Sequence, residues 1–337
     1  MTDPVANTEA SLLEVRGLSR HFRIKGGGFG RKAGVMKAVD QVSFTLERGQ
    51  TLGLVGESGC GKSTLARTIV RLIEPNEGQV LFKGRDLMRA DRRELKQARR
   101  HIQMIFQDPY ASLSPRRTVM QTLREPLDVH QIGPASGRGD LIRDLLGTVG
   151  MTPSSLNRFP HELSGGQRQR IAIARALATK PDLIIADEAV SALDASIQAQ
   201  VLNLIADLQD EFGIAFVFIT HDLAVVRHIS HQIAVMYLGE IVESAPTAEL
   251  FREPLHPYTR ALLQAAPRPE PGAKSTILPG EPPSVVDSPN GCPFYPRCPD
   301  AMDICRSRVP SAVSIQGSDR RRVSCHLYAD GFPGPEK

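Results

Sequence analysis

The run Gly56-Glu-Ser-Gly-Cys-Gly-Lys62-Ser63-Thr64 fits the pattern G-x-x-x-x-G-K-[S/T], and the chemistry of that pattern is the holding of phosphate. Its glycines (Gly56, Gly59, Gly61) let backbone N–H groups curl around phosphate oxygens, with Ser58 and Cys60 between them. Lys62 is placed for the outer phosphates and Ser63, followed by Thr64, offers a hydroxyl to Mg²⁺ at the start of a helix whose dipole favours anions. Cys60 occupies a free position of the loop and reads as a passive small residue.

A second constellation lies downstream. Leu183-Ile-Ile-Ala-Asp187-Glu188 is an apolar run that delivers two carboxylates at one end. Asp187 suits the water-mediated side of Mg²⁺ coordination, and Glu188 suits polarising an attacking water. A third, Leu163-Ser164-Gly165-Gly166-Gln167-Arg168, precedes a stretch with Ile171, Ala174 and Leu177 on one helical face. That places Ser164 and the two glycines at another anion-binding helix start.

These residues need rigid elements to position them. Thr51–Val55, Leu183–Ala186 and Ile214–Ile219 are short, continuous apolar runs, the signature of parallel strands covered on both faces. Between the last two, Ile197, Val201, Leu204, Ile205 and Leu208 keep helical spacing, which predicts a strand–helix–strand crossover. An α/β fold follows. Lys25–Lys32 reads as an exposed basic, glycine-rich loop, and prolines accumulate from Gln264 to Gly291 as a linker. The predicted division is a nucleotide-binding domain over 1–262, a proline-rich linker over 263–291 and a small cysteine-bearing extension over 292–337.

With 337 residues, 41% hydrophobic and 23% charged, the chain has the composition of a soluble globular protein. Its net charge of +4 is too small to argue for nucleic acid, and no apolar run approaches a membrane span. Met1-Thr-Asp-Pro-Val lacks the features of a secretory signal, so a reduced, cytosolic setting is expected. Collagen, coiled coil, membrane channel and wholesale disorder are excluded.

A phosphate loop alone leaves kinases, GTPases, helicases and transporters open. The Ser164–Gln167 segment strongly resembles the signature of the ATP-binding cassette (ABC) superfamily. The other family elements appear in order: Gln107 after an apolar strand, Ser191-Ala-Leu-Asp194, and Thr220-His221-Asp222. The resemblance implies a P-loop NTPase cassette with a RecA-like core and a helical subdomain at about 108–175, of which 108–160 meets a permease. It also implies ATP and Mg²⁺ (through Ser63, Gln107 and Asp187), Glu188, His221 and Gln107 as catalytic residues, and Phe22 stacked on adenine. Two cassettes would share each ATP, one supplying the P-loop and the other Ser164, Gly165, Gly166 and Gln167, with Asp194 between them.

Phe106–Arg116, Val190–Gln200, Met236–Glu243, His256-Pro-Tyr-Thr259 and the cysteine tail are similar to the dipeptide/oligopeptide and nickel importer branch, and the glycine-rich insertion at 25–34 is most like that of its second ATPase subunit. The partners then implied are a second ATPase subunit, identical or paralogous, two membrane permeases and, indirectly, an extracytoplasmic binding protein, with no nucleic acid. The place implied is peripheral, on the cytoplasmic face of the bacterial inner membrane. Rival readings are a soluble cassette ATPase acting on DNA or ribosomes, and an importer of nickel or another small solute. Two residues depart from the branch pattern: Ala189 stands where proline is usual after the catalytic glutamate, and Ser114 where asparagine is usual.

Four of the five cysteines lie near the end: Cys292, Cys298, Cys305 and Cys325. They sit on a segment too poor in apolar residues to build its own core, where a metal staple is common. Neither zinc-type nor ferredoxin-type spacing is present. Resemblance to importer-family members with a cluster on a similar motif favours a [4Fe–4S] cluster over Zn²⁺ or unligated cysteines, with His326 a bystander.

Overall fold

The computed structural model describes residues 11–24, 34–265, 290–315 and 318–329. The glycine-rich segment at 25–32 and most of the proline-rich stretch lie outside the described residues.

The chain opens with β1 (Leu13–Ile24), β2 (Gly34–Leu46), β3 (Thr51–Val55), α1 (Lys62–Ile69), β4 (Glu77–Phe82) and β5 (Arg85–Asp86). Strands β2-β1-β4-β5, in that order, make a four-stranded antiparallel sheet. Next come α2 (Arg92–His101), β6 (Ile102–Ile105), α3 (Pro109–Ser112), α4 (Val119–Val129), α5 (Arg138–Thr148) and α6 (Gly165–Leu177). After them follow β7 (Leu183–Asp187), α7 (Ala195–Phe212), β8 (Ala215–Ile219), α8 (Leu223–Ile229), β9 (Gln232–Tyr237) and β10 (Glu240–Pro246). The described chain closes with α9 (Thr247–Arg252), α10 (Pro257–Ala265), β11 (Val313–Ile315) and β12 (Ser318–Val323).

The main sheet runs β11-β12-β10-β9-β3-β8-β7-β6, and its β9-β3-β8-β7-β6 half is parallel. Every residue of β3, β7 and β8 is buried, which is why these strands show as continuous apolar runs rather than alternating ones. In register, Leu54 lies opposite Ile219 and Asp187 opposite the same Ile219. Thus β3, β8 and β7 end level, and the loops that follow them share one edge, where ligands of open α/β sheets bind.

Helices α4, α5 and α6 pack Leu123, Leu127, Ile142, Leu146 and Ile171 into one apolar cluster that continues onto α7 and β8. Reciprocal capping fixes where two of them start. Thr118 Oγ1 accepts from Gln121 N while Gln121 Oε1 accepts from Thr118 N at α4, and Ser164 and Gln167 do the same at α6.

The carboxy-terminal segment extends the core sheet. β12 pairs antiparallel with β10 through Glu243–Val323 and Ser244–Arg322, and β11 pairs with β12. It also adds Phe294, Cys292 and Cys305 to an apolar cluster with Tyr237, Tyr258, Val242 and Leu250. Phe294 meets Tyr237 edge-on at 5.3 Å between centroids, and Tyr237 lies 4.6 Å from Tyr258. Aromatic pairs of this kind contribute about 0.5–1.5 kcal/mol each beyond their buried area.

Beside that cluster Glu243 is buried and accepts from Leu255 N and His256 N, each at 2.8 Å. His256 is buried too, and its Nδ1 accepts the N–H of Tyr258 at 3.0 Å. Burial pushes the imidazole pKa down to about 3 from 6.5. A depressed folded-state value means the contribution is whole above pH 6.5 and is lost as pH falls toward 3. Between about pH 7.5 and about pH 5 the loss from this group should be about 2 kcal/mol. Urea unfolding at both pH values checks this: His256→Gln should be less acid-sensitive than wild type, and equal sensitivity would contradict it.

A candidate ATP site at the carboxyl edge of the sheet

The loop between β3 and α1 is fixed by close backbone approach. Gly61 has φ +110°, and a Cβ there would stand 1.9 Å from Ala38 O. One at Gly56 would stand 2.2 Å from Met236 O, so neither position admits a side chain. Ser58 and Gly59 are exposed at the tip, whereas Cys60 is buried and burial raises its thiol pKa. Lys62 is only 5% exposed and donates from Nζ to Gly56 O at 2.8 Å and Glu57 O at 2.9 Å. Phosphate oxygens would take the place of those carbonyls. Thr64 O accepts from Thr68 Oγ1 within α1, so Thr64 supports the helix start through its backbone.

Ser63 Oγ donates to Asp187 Oδ1 at 2.8 Å. Asp187 is 1% exposed, and burial raises its pKa despite that hydrogen bond and the nearby Arg67 and Lys62. A buried carboxylate joined to a hydroxyl is an oxygen donor set of the kind a hard cation takes. These residues fit Mg²⁺.

Glu188 follows directly and takes φ +49°, a left-handed conformation that costs a non-glycine residue of order 1 kcal/mol or more. Its backbone is tied on both sides: Glu188 N donates to Ile219 O at 2.9 Å, and Glu188 O accepts from Ser191 N at 3.2 Å and Ser191 Oγ at 3.0 Å. Its carboxylate stands between the other two candidates. Gln107 Nε2 donates to Oε2 at 2.6 Å, and His221 Nδ1 lies 3.4 Å from Oε1. Gln107 follows β6, Glu188 follows β7 and His221 follows β8, so three neighbouring strand ends converge on one carboxylate.

The remaining candidates lie apart from this group. Ser164 and Gly165 are exposed at the start of α6, and Gly166 is buried, its Cα so near Ile197 that a Cβ would meet Cγ2 at 2.5 Å. Asp194 caps α7 by accepting from Ile197 N at 3.0 Å and Ser196 Oγ at 3.0 Å, bonds that lower its pKa. Among the described residues, no hydrogen bond joins Ser164–Gln167 to the P-loop. Phe22 is half-buried near the end of β1, with the Arg20 guanidinium 4.4 Å from its ring centroid.

Ser191 was named only as the first residue of the Ser191–Asp194 element and given no role of its own, although it holds the turn that carries Glu188. Its serine–turn position, three residues after a strand-end carboxylate, was the available signal. Tyr258 was missed likewise. Its hydroxyl accepts Glu57 N in the P-loop at 2.9 Å, across a separation that no local pattern reveals.

The profile of the family described as ABC transporter matches residues 39–191. A probable peptide ABC transporter ATP-binding protein of Sinorhizobium fredii is 54% identical over 321 residues, 95% of this chain and 90% of that one. The chain belongs to the ABC transporter ATPase family. A second relative, the oligopeptide transport ATP-binding protein AppF of Bacillus subtilis, is 50% identical over 96% of this ABC ATPase and 99% of its own length. A further profile, the oligopeptide/dipeptide transporter C-terminal region, matches residues 242–305. Among solved structures, a dimeric ATP-binding cassette in a post-hydrolysis state with ADP and phosphate superposes with a TM-score of 0.62 at 28% identity, covering 70% of this chain and 98% of that one. A second structure, cbiO1 of Clostridium perfringens, part of the ABC transporter complex cbiONQ, also gives 0.62, at 26% identity over 73% of this chain and 92% of that one. The expected fold, a P-loop cassette with a RecA-like core and helical subdomain, stands, and the protein is an ATPase.

The expected metal staple does not stand. Among the described residues of this ABC ATPase, no three His, Cys, Asp or Glu side chains are grouped to hold a metal ion, and Cys292, Cys298, Cys305 and Cys325 are included in that statement. Neither a [4Fe–4S] cluster nor Zn²⁺ is therefore assigned to these four cysteines. Burial pushes the thiols of Cys292 and Cys325 up to about 11 and that of Cys298 up to about 12, with the neighbouring cysteines adding to the rise. Cys292 and Cys305 are small hydrophobes in the aromatic cluster, joined by a backbone bond from Cys292 N to Cys305 O at 2.8 Å. The tail is anchored by the sheet and that cluster, so it needs no ion to hold it. Four cysteines in a short tail do not by themselves make a ligand set, because buried thiols also serve as small apolar interior.

Proposed function

We infer that this chain is the ATP-hydrolysing subunit that powers peptide import through a membrane ABC transporter. The observation that carries the reading is the Glu188 carboxylate, set between Gln107 and His221 beside the Ser63–Asp187 pair and Lys62. The solute class is supported by the match of residues 242–305 to the oligopeptide/dipeptide transporter region and by relatives named for peptide transport.

In this reading the loop amides from Gly56 to Thr64 and Lys62 bind the phosphates of ATP, and Phe22 offers its ring to adenine. Ser63, Asp187 and Gln107 would hold Mg²⁺, which supplies charge neutralisation on the phosphates. Glu188 polarises the attacking water and accepts its proton, while Gln107 and His221 orient that carboxylate and meet the γ-phosphate side. Ser164, Gly165, Gly166 and Gln167 present the α6 N-terminus to the ATP held by a second ATPase subunit, with Asp194 at the junction. No helix among the described residues is long and apolar enough to cross a membrane. Two permease subunits supply the pore, with the chain peripheral on the cytoplasmic face of the inner membrane. Residues 108–160 face them.

The shared-site arrangement makes a direct prediction. Purified alone and dilute, the chain should hydrolyse ATP at least about tenfold more slowly per subunit than in the assembled transporter, because the oriented signature dipole is missing. The measurement is specific activity against protein concentration, with and without permeases. Brisk, concentration-independent hydrolysis by the isolated chain would contradict it.

A further inference from the structure

One residue of the P-loop is gripped from the far end of the chain. Arg297, with a side chain 5% exposed, makes a two-pronged contact with Glu57: NH1 to Oε2 and NH2 to Oε1, both at 2.9 Å. Its guanidinium is steadied by Tyr237, whose hydroxyl is 3.5 Å from NH1 and whose ring centroid is 6.0 Å from Cζ. Tyr258, fully buried on α10, takes the Glu57 amide N–H on its hydroxyl. On its other side, Glu57 O accepts from Lys62 Nζ at 2.9 Å. Residue 57 therefore joins the phosphate-binding lysine to the module that starts beyond the proline-rich stretch.

The P-loop pattern leaves this position free, so phosphate binding does not require an acid there. An unpaired carboxylate in the P-loop would repel a bound triphosphate. A guanidinium in planar, two-pronged contact cancels that charge and fixes the carboxylate, which a lysine at the same place would do less well.

We propose that Arg297 is a positioning residue for the ATP site: by pairing with Glu57 it neutralises the acid of the P-loop, so that the carboxy-terminal module sets the affinity for nucleotide. The proposal rests on the P-loop binding ATP, and a wild-type chain that failed to bind would sink that reading rather than the clamp.

The test is a two-residue cycle on the full chain, read as the Kd of a fluorescent ATP analogue and as KM against kcat in the assembled transporter. Arg297→Ala should weaken binding about tenfold and raise KM in step, with kcat changed less than about twofold. Glu57→Gln added to Arg297→Ala removes the uncompensated charge and should bring Kd back to within about threefold of wild type. Arg297→Gln, which keeps a polar side chain, serves if the alanine variant does not fold, and should shift Kd in the same direction. Three results would overturn the proposal: an unchanged Kd in a folded Arg297 variant, a weakened Kd that Glu57→Gln does not recover, or a kcat loss that follows a fall in Tm. The last is what a merely structural anchor would give.

Discussion

Replacing Glu188 with Gln is expected to reduce ATP turnover by about 10²–10⁴-fold in the assembled transporter while leaving nucleotide binding in place. The amide matches the carboxylate in size, so the turn held by Ser191 and Ile219 survives. What disappears is the negative charge and the basic oxygen. Gln107 Nε2 donates to Oε2 of Glu188, which leaves Oε1 on the side of His221 Nδ1 at 3.4 Å. Steady-state hydrolysis beside binding of a fluorescent ATP analogue separates the two effects. Turnover near the wild-type rate would remove Glu188 from the chemistry.

Lys62→Ala should do the reverse and act on binding. Hydrogen bonds to charged groups contribute about 1.5–3 kcal/mol, which corresponds to about 10–150-fold in Kd. The loop itself also depends on Lys62: the ammonium is buried and bridges Gly56 O and Glu57 O, so its loss leaves two loop carbonyls without that donor. Titration of the full-length variant with the same analogue measures this. An affinity within about twofold of wild type would show that the backbone amides alone hold the phosphates.

The pair of variants also shows which parts of the site were legible in the sequence. Strands β3, β7 and β8 could be read because burial on both faces forces continuous apolar runs, and the candidate site residues follow each run. Gly61 could be read because its backbone, at positive φ against Ala38 O, excludes any side chain. The same reasoning gave no hint of β12, whose Ser318-Asp-Arg-Arg-Arg-Val323 sequence is charged and whose partner β10 lies far back in the chain. That strand is held by sheet pairing and by Arg321 on Glu253 at 2.9 Å rather than by an apolar face of its own. Arg297 was invisible for the same reason. An isolated arginine in a cysteine-bearing tail carries no period or motif, and only the folded chain brings it to Glu57. The cysteines misled in the opposite sense: their number suggested ligands, whereas Cys292 and Cys305 are buried in an aromatic cluster as protein interior.

The most direct test of the account is ATP-driven uptake of a labelled oligopeptide into proteoliposomes that hold the complete transporter, with either the wild-type chain or Glu188→Gln. Uptake should require ATP, proceed with the wild-type chain and stop with Glu188→Gln although that variant still binds nucleotide. Equal uptake with both chains, or steady hydrolysis by the wild type without peptide entering while another solute does, would contradict it.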